Sequence, residues 1–396
     1  MRILIHHSWS PNMGDAAMLS STASLLRSIC PDCHICALVS HPEITKNACP
    51  GLDAELRGWP WPVPQRGRAG LAERLSYPFI WGSNMLSAAA YRLTGKKLFI
   101  GNGKYRPALE GFFASDVVLT PGGDFISPNY FYMTTFSEML IAKLLGKKLV
   151  VLGQSTVPFR GLAGGLVARF VLGLPDLIIV RERHSAKWLG SIGVRNVHVT
   201  GDVAFLLGHR PSVERRDNRI AICPKGFADR ESTARLARLA ARLRAEGFGI
   251  TVLLSDGHDE RVQKELAGLM GDDAEFVSGL LGPEALADRI ASCGFIISAR
   301  MHAIILGTLS STPFFALSDS FKFEHILEQF YPGCFMDHKA LDAEGIERVV
   351  AMVRRRGELG PLMKERMGQV VEKSYASREI LESNFRKWGL LKGTGN

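Results

Sequence analysis

The sequence predicts an α/β protein: two Rossmann-like, doubly wound parallel-sheet domains facing one another across a cleft. Three observations predict it. Short apolar runs alternate with amphipathic stretches along most of the 396 residues, the pattern of parallel strands joined by crossover helices. Polar or glycine-rich motifs recur where those runs end, at the edge where open α/β sheets bind ligands. The alternation also breaks once, at the polar stretch Arg210-Pro-Ser-Val-Glu-Arg-Arg-Asp-Asn, and then restarts. With about 100–200 residues per domain, that break sets a first domain over 1–210, with an irregular insert at 57–94, and a second over 211–370. Residues 371–396 read as a C-terminal helix that can return to the first domain as a hinge element.

Composition bounds the chemistry. The chain is 46% hydrophobic and 22% charged, and 48 Lys+Arg against 39 Asp+Glu leave a net charge of +9. A basic excess fits acidic small substrates, phospholipid head groups or nucleic acid. The cations are dispersed, however, with one run of three at Arg354-Arg-Arg356, and no RNA-binding signature appears. Nucleic acid is therefore not an expected partner. Seven cysteines, several beside apolar runs, point to free thiols in a reducing compartment. Met1-Arg-Ile-Leu-Ile-His-His has no signal-peptide core, and no stretch of about 18 apolar residues could span a membrane. The expectation is a cytoplasmic protein, with peripheral contact at the inner membrane face open to it.

Taken in order, Arg2–His6 reads as the first strand. A loop containing Asn12-Met-Gly-Asp15 follows, with Gly14 free to turn sharply and Asp15 as candidate N-cap of a helix from Ala16. The dinucleotide fingerprint is absent there. Cys30-Pro-Asp-Cys33-His-Ile-Cys36 has two-residue spacings but lacks a second pair at metal spacing, so no metal site is expected. Arg57 to Arg68 is dense in proline, tryptophan and arginine. Trp59 and Trp61, with Arg66 and Arg68, suit either sugar or membrane contact or simple packing on their own domain. Leu71 to Leu93 then reads as one or two helices.

The regular rhythm resumes with a strand ending at Thr120 and followed by Pro121-Gly-Gly-Asp124. Lys148–Leu152 leads to Gly153-Gln-Ser155, and Leu177–Val180 to Arg181-Glu182. Val197–Val199 leads to Asp202. In the second half, Arg219–Cys223, Gly249–Leu254, Phe295–Ile297 and Thr312–Leu317 read as strands between helices. Phe295-Ile-Ile-Ser-Ala-Arg-Met-His302 is the pivotal stretch. It sets Arg300, Met301 and His302 at a strand's carboxyl end just ahead of a helix starting at Ala303, where a helix N-terminus favours anions. An arginine that keeps its charge beside an imidazole that titrates near neutrality suits an anionic substrate that exchanges a proton. The plainer reading is that Arg300 holds a carboxylate and His302 is a satisfied half-buried histidine.

The ordered motifs resemble the polysaccharide pyruvyl transferase family. The matching pieces are Asn12-Met-Gly-Asp15, Asp116 with Pro121-Gly122-Gly123, Gly153-Gln154-Ser155 with Pro158, and Arg181-Glu182 with Ser185. Asp202 with Phe205, Arg300-Met301-His302 and Lys322 complete the series. Two positions depart from the family's pattern: Asp124 ends what is usually a glycine triplet, and Val157 stands where glycine usually precedes Pro158.

The resemblance implies a GT-B-like fold and an enzyme that moves the enolpyruvyl group of phosphoenolpyruvate onto a sugar as a pyruvate ketal, in cell-surface or exopolysaccharide biosynthesis. No cofactor is expected, with phosphoenolpyruvate as donor substrate, and no convincing set of metal ligands appears in the sequence, which leaves metal dependence open. The resemblance carries donor binding onto Arg181, Arg300 and His302, placing the acceptor on the first domain and the donor on the second. Paired guanidinium hydrogen bonds suit the donor's carboxylate and phosphate. His302 is the candidate general acid/base, Asp15 or Glu182 could deprotonate the acceptor, and Asn12, Gly14, Gly122, Gly123, Gln154, Ser155, Met301 and Lys322 are candidate substrate contacts. The expected acceptor is a sugar or, from the net positive charge and the tryptophan loop, a lipid-linked oligosaccharide. Two other readings remain open: a GT-B glycosyltransferase using a nucleotide sugar, with Asp202 or Asp256 on the ribose, and a non-catalytic binding subunit.

Overall fold

The computed structural model describes residues 1–8, 11–58, 71–98, 103–128, 132–159, 161–226, 230–318, 323, 326–327 and 329–391. Trp59, Trp61, Arg66, Arg68 and Lys322 lie outside the described residues. The chain divides into two compact units. One comprises Met1–Ser10, Met18–Val203 and Lys373–Asn396, the other Pro11–Ala17 and Ala204–Glu372.

The first unit carries β1 (Arg2–Ser8), β2 (His34–Val39), β3 (Ala54–Arg57), β4 (Val117–Thr120), β5 (Lys148–Gln154), β6 (Leu177–Val180) and β7 (Val197–Val199). They form one sheet in the order β3-β2-β1-β4-β5-β6-β7, parallel at every pairing. Because β1 lies beside β4, the winding reverses between them, and the crevice beyond their carboxyl ends is the topological switch point. The helices are α1 (Met13–Ile29, whose first turn up to Ala17 belongs to the second unit), α2 (Pro42–Ala48), α3 (Leu71–Thr94), α4 (Arg106–Ala114), α5 (Met133–Leu144), α6 (Gly161–Leu172) and α7 (Arg183–Ser191). Strands covered on both faces need apolar runs rather than alternation, and Val117, Val118 and Leu119 are fully buried. Beneath them Phe136 stacks on Phe159, and Phe159 on Trp188, each at 5.7 Å between ring centroids.

The second unit repeats the plan with β8 (Arg216–Cys223), β9 (Gly249–Val252), β10 (Glu275–Phe276), β11 (Cys293–Ser298), β12 (Phe314–Leu317) and β13 (Phe335–Met336). Their order is β10-β9-β8-β11-β12-β13, again all parallel, with the switch between β8 and β11. Every residue of β11 is buried, which is why Phe295-Ile-Ile is apolar throughout. The helices are α8 (Arg230–Ala245), α9 (Glu260–Met270), α10 (Pro283–Ala291), α11 (Met301–Thr308), α12 (Ala343–Arg354) and α13 (Arg356–Lys387).

Several sequence expectations change. The unit boundary falls at Val203/Ala204 rather than Arg210, since Phe205 packs on Phe330 at 6.1 Å between rings. The polar break is partly strand: Arg216 N donates to Ser292 O at 2.9 Å and opens β8. Leu71–Thr94 is a single helix containing Pro78, and the final helix starts at Arg356 with Pro361 inside it. Its last part, from Lys373, belongs to the first unit. There Gly201 N donates to Lys373 O at 3.1 Å, and Ser377 Oγ donates to Thr200 Oγ1 at 2.9 Å. Among the described residues, which include all seven cysteines, no disulfide forms, and no described helix is long and apolar enough to cross a membrane.

Candidate functional site

In the second unit the site grows from the end of β11. Arg300 keeps an extended backbone (φ −115°, ψ 119°) as the residue capping α11, and its N–H donates to Ser298 Oγ at 2.9 Å. Met301 and His302 are therefore the first residues of α11, not residues ahead of it. The difference follows from the Ser298 turn, which completes the strand exit before Arg300.

The Arg300 guanidinium grips Asp259 with two bonds, Nε to Oδ2 at 2.8 Å and Nη2 to Oδ1 at 2.7 Å. Its Nη1 lies 3.2 Å from Asp256 Oδ2. Asp259 is fully buried and also accepts from Gly226 N at 2.7 Å. Asp256 accepts from His258 N and faces His258 Nδ1, both at 2.9 Å. The forked edge of Arg300 expected to hold the donor is thus engaged by a buried carboxylate, the plainer of the two sequence readings. What this gives the site is a guanidinium fixed in direction, with 24% of its side chain exposed.

Residues Pro11–Ala17 join this cluster. Met13 N donates to Ser255 O at 2.8 Å and Gly257 N to Pro11 O at 3.0 Å, while Asn12 Nδ2 donates to Asp256 Oδ2 at 3.2 Å. Asn12 Oδ1 accepts from Gly14 N at 2.8 Å, so Asn12 caps α1 and Asp15 does not. Asp15 sits half-buried in the first turn. Gly14 presses on His302: a Cβ there would overlap the imidazole and lie 2.5 Å from the histidine Cβ.

The first unit gathers a second set. Gly123 (φ +145°) and Gly153 (φ +75°) hold backbone conformations that side chains resist. Their loops are laced by Ser155 N donating to Gly123 O at 2.7 Å. A Cβ on Gly122 would lie 2.7 Å from Met18 Sδ and 3.3 Å from Gly153 O. Gln154 Nε2 donates to Pro121 O, and its Oε1 is buried with no hydrogen-bond partner among the described residues.

Arg181 donates from Nε to Ser155 Oγ and from Nη1 to Asp202 Oδ2, both at 2.6 Å. Ser155 Oγ donates to Glu182 Oε2 at 2.9 Å, and Ser185 Oγ donates to Glu182 Oε1. Arg181, Glu182 and Asp202 are all buried, as a charge in low dielectric requires once it is paired and hydrogen-bonded. Arg181 is therefore the hub of a buried network that ties the ends of β5, β6 and β7 together.

The structure thus assembles Asn12, Gly14, Arg300, Met301 and His302 in one unit and Gly122, Gly123, Gln154, Ser155, Arg181 and Glu182 in the other. Sequence reasoning missed Asp259 altogether and weighed Asp256 only for a ribose. The signal for both was Ser255-Asp-Gly-His-Asp259, two carboxylates just after a strand. A cavity of 1260 Å³ in the second unit, lined by Arg210, Arg215, Arg354, Arg356 and Lys364 among others, opens at the amino ends of the strands, opposite Arg300. Among the described residues no group of three or more His, Cys, Asp or Glu could hold a metal ion.

No curated protein matches the sequence. Among solved structures the chain is similar to a putative UDP-N-acetylglucosamine 2-epimerase from Listeria monocytogenes, with TM-score 0.64, 11% identity, and 100% of this chain and 98% of that one covered. It is also similar to S. aureus MnaA in a co-structure with UDP (TM-score 0.63, 14% identity, 98% and 97% covered) and to a glycosyltransferase from Rickettsia africae (0.59, 12%, 98% and 98%). At such identities the likeness is one of fold, two parallel-sheet α/β domains of GT-B type. The polysaccharide pyruvyl transferase family model matches residues 12–320, from the Asn12 cap past His302. The chain belongs to the polysaccharide pyruvyl transferase family.

Proposed function

We propose that the protein transfers the enolpyruvyl group of phosphoenolpyruvate to a sugar and closes it to a pyruvate ketal. The observation that carries this reading, beside family membership, is the pairing at α11 of a rigidly held guanidinium with an imidazole seated against Gly14. The donor brings a carboxylate and a phosphate. The exposed part of Arg300 and the N–H groups opening α11 supply positive potential for one of them. His302, in that first turn, is the group to pass a proton to the methylene carbon or to the departing phosphate. The acceptor hydroxyl gives up its proton to a base as its oxygen bonds to C2, the C2–C3 π electrons take a proton at the methylene carbon, and a second hydroxyl then displaces phosphate from C2, its proton leaving with the phosphate.

Arg181 serves this chemistry by shaping its own unit, since its bonds to Ser155 and Asp202 fix the loops after β5 and β7. Glu182, whose two oxygens both accept from serine hydroxyls, belongs to that network rather than to the acceptor. The reading extends to an acceptor that is a sugar or lipid-linked oligosaccharide met at the cytoplasmic face of a membrane.

Thermal unfolding with and without millimolar phosphoenolpyruvate tests it. The donor should raise the midpoint by mass action, and His302→Ala should reduce the shift. A shift produced by UDP or a UDP-sugar and not by phosphoenolpyruvate would overturn the reading in favour of nucleotide-sugar chemistry.

A further inference from the structure

The end of β1 carries a feature the reaction above does not use. Between Ile5, paired with Ala37, and Ser8, paired with Val39, β1 holds one residue more than β2. That bulge places His7 in the left-handed region at φ +57°, an uncommon conformation for any residue but glycine. In a regular strand adjacent side chains point to opposite faces. Here His6 and His7 reach the same carboxylate: His6 Nδ1 lies 2.7 Å and His7 Nδ1 3.4 Å from Glu138 Oε2 on α5. His6 Nε2 is 2.7 Å from Thr120 Oγ1, Thr135 Oγ1 is 3.3 Å from His7 Nδ1, and the His7 ring lies 4.5 Å from that of Phe125.

His6 and Glu138 are fully buried, whereas 20% of the His7 side chain is exposed. Glu138 Oε1 has no hydrogen-bond partner among the described residues, a costly state for a buried carboxylate. The cluster stands at the switch point between β1 and β4, beside the Gly122-Gly123 loop, where ligands of such sheets bind. Bulges and left-handed side chains concentrate at sites that must aim a particular group.

We propose that His7 is the general base that takes the proton from the acceptor sugar's hydroxyl, with Glu138 as the positioning residue that holds its ring. With Nδ1 donating toward Glu138 and Thr135, the proton is received at Nε2. The hydroxyl oxygen forms its bond to C2 of the donor, the donor's π electrons go to the methylene carbon, and that carbon takes a proton from the general acid of the reaction. Burial pushes the Glu138 carboxyl up, but the charge and hydrogen bond of His6, with His7 adding, outweigh it and hold the group below the ordinary range. The assignment rests on the ketal-forming reading, and its two tests separate the two.

In the first, the ring tautomer of His7 is read from its nitrogen resonances by NMR in wild type and Glu138→Gln. Among the described contacts His7 Nδ1 faces Glu138 and Thr135, so wild type should carry the ring proton on Nδ1 and loss of the Glu138 carboxylate should move it toward Nε2. A wild-type ring protonated on Nε2, or a tautomer unmoved in Glu138→Gln, overturns the proposal whatever the donor. In the second, phosphate release from phosphoenolpyruvate is measured with methyl hexopyranosides as probe acceptors. His7→Asn, which tolerates the left-handed backbone, should lose about 10²-fold or more in kcat while keeping the thermal shift by donor. His7→Gly should regain turnover with added imidazole. A His7→Asn enzyme with wild-type kcat overturns the proposal. A wild type that never consumes phosphoenolpyruvate overturns the ketal-forming reading and the acceptor role with it, leaving the His7–Glu138 coupling to the NMR result.

Discussion

Gly14 and His302 touch so closely that no side chain fits between them: a Cβ on Gly14 would overlap the imidazole. Alanine is the better helix former by about 1 kcal/mol, so any harm from Gly14→Ala comes from displacing His302. Phosphoenolpyruvate turnover should fall roughly 10²-fold, the order expected from an ångström of misplacement, with the fold retained by circular dichroism. Wild-type turnover in Gly14→Ala would show that His302 needs no fixed seat.

Arg300 and Asp259 form the tightest charged contact of the second unit's site. Asp259→Ala leaves the partly exposed guanidinium with only Asp256, at 3.2 Å, and should cost about 1–3 kcal/mol in urea unfolding. Arg300→Lys keeps the charge but cannot span both oxygens, so it should lower both stability and donor protection. A lysine variant equal to wild type in both would mean the fork has no role.

Arg181 and Asp202 are the corresponding pair in the first unit, with only 2% and 1% of their side chains exposed. Asp202→Ala should destabilise by about 3–5 kcal/mol. The double variant Arg181→Met/Asp202→Leu should regain part of that loss, because it removes the unpaired guanidinium but also takes the cation from Glu182, 3.7 Å away. Urea midpoints for Asp202→Leu, Arg181→Met and the double variant decide it, and additive losses would contradict the argument.

Gly201 lies against Ser374 of α13, whose Cα would be 3.1 Å from a Cβ there and whose hydroxyl would overlap it. Gly201→Ala should therefore loosen the helix end from the first unit at a cost of about 1–3 kcal/mol. Faster proteolytic cleavage between residues 373 and 387 is the expected readout. Unchanged cleavage would mean the backbone yields without cost.

Asp176 gives a pH prediction. Burial raises its pKa, but the bonds from Lys143 and from Leu149 N, with Lys148 nearby, outweigh that and hold it below its ordinary value of 3.8. A depressed carboxyl contributes stability that is complete above its unfolded value and lost as pH falls through its folded one. Asp176→Asn should thus be less stable than wild type at pH 7 and show a flatter decline in urea midpoint below about pH 4. Parallel profiles for the two proteins would exclude this contribution.

Much of the fold was readable in the chain because parallel strands buried on both faces must be apolar runs. Leu177-Ile-Ile-Val and Phe295-Ile-Ile stand out for that reason, and the motifs that follow them had to fall at the sheet edge. Element starts were less readable. Asn12 and Asp15 are both good caps, and only the contact of Asn12 with Asp256 selects between them. Arg181 and Arg300 looked alike in sequence, each at a strand end. The structure separates them, burying Arg181 in a network and leaving Arg300 partly exposed on Asp259.

What the sequence by itself determined is the class of protein: alternating apolar runs dictate two parallel α/β sheets, and the order of motifs from Asn12 to His302 marks the family. Only the tertiary structure decided which charged side chains are partners. Asp259 and Arg300 are 41 residues apart, and His7 and Glu138 are farther apart still. Such pairs depend on strand order and on a one-residue bulge, and no local preference encodes either, because both arise when distant segments compete for the same sheet edge.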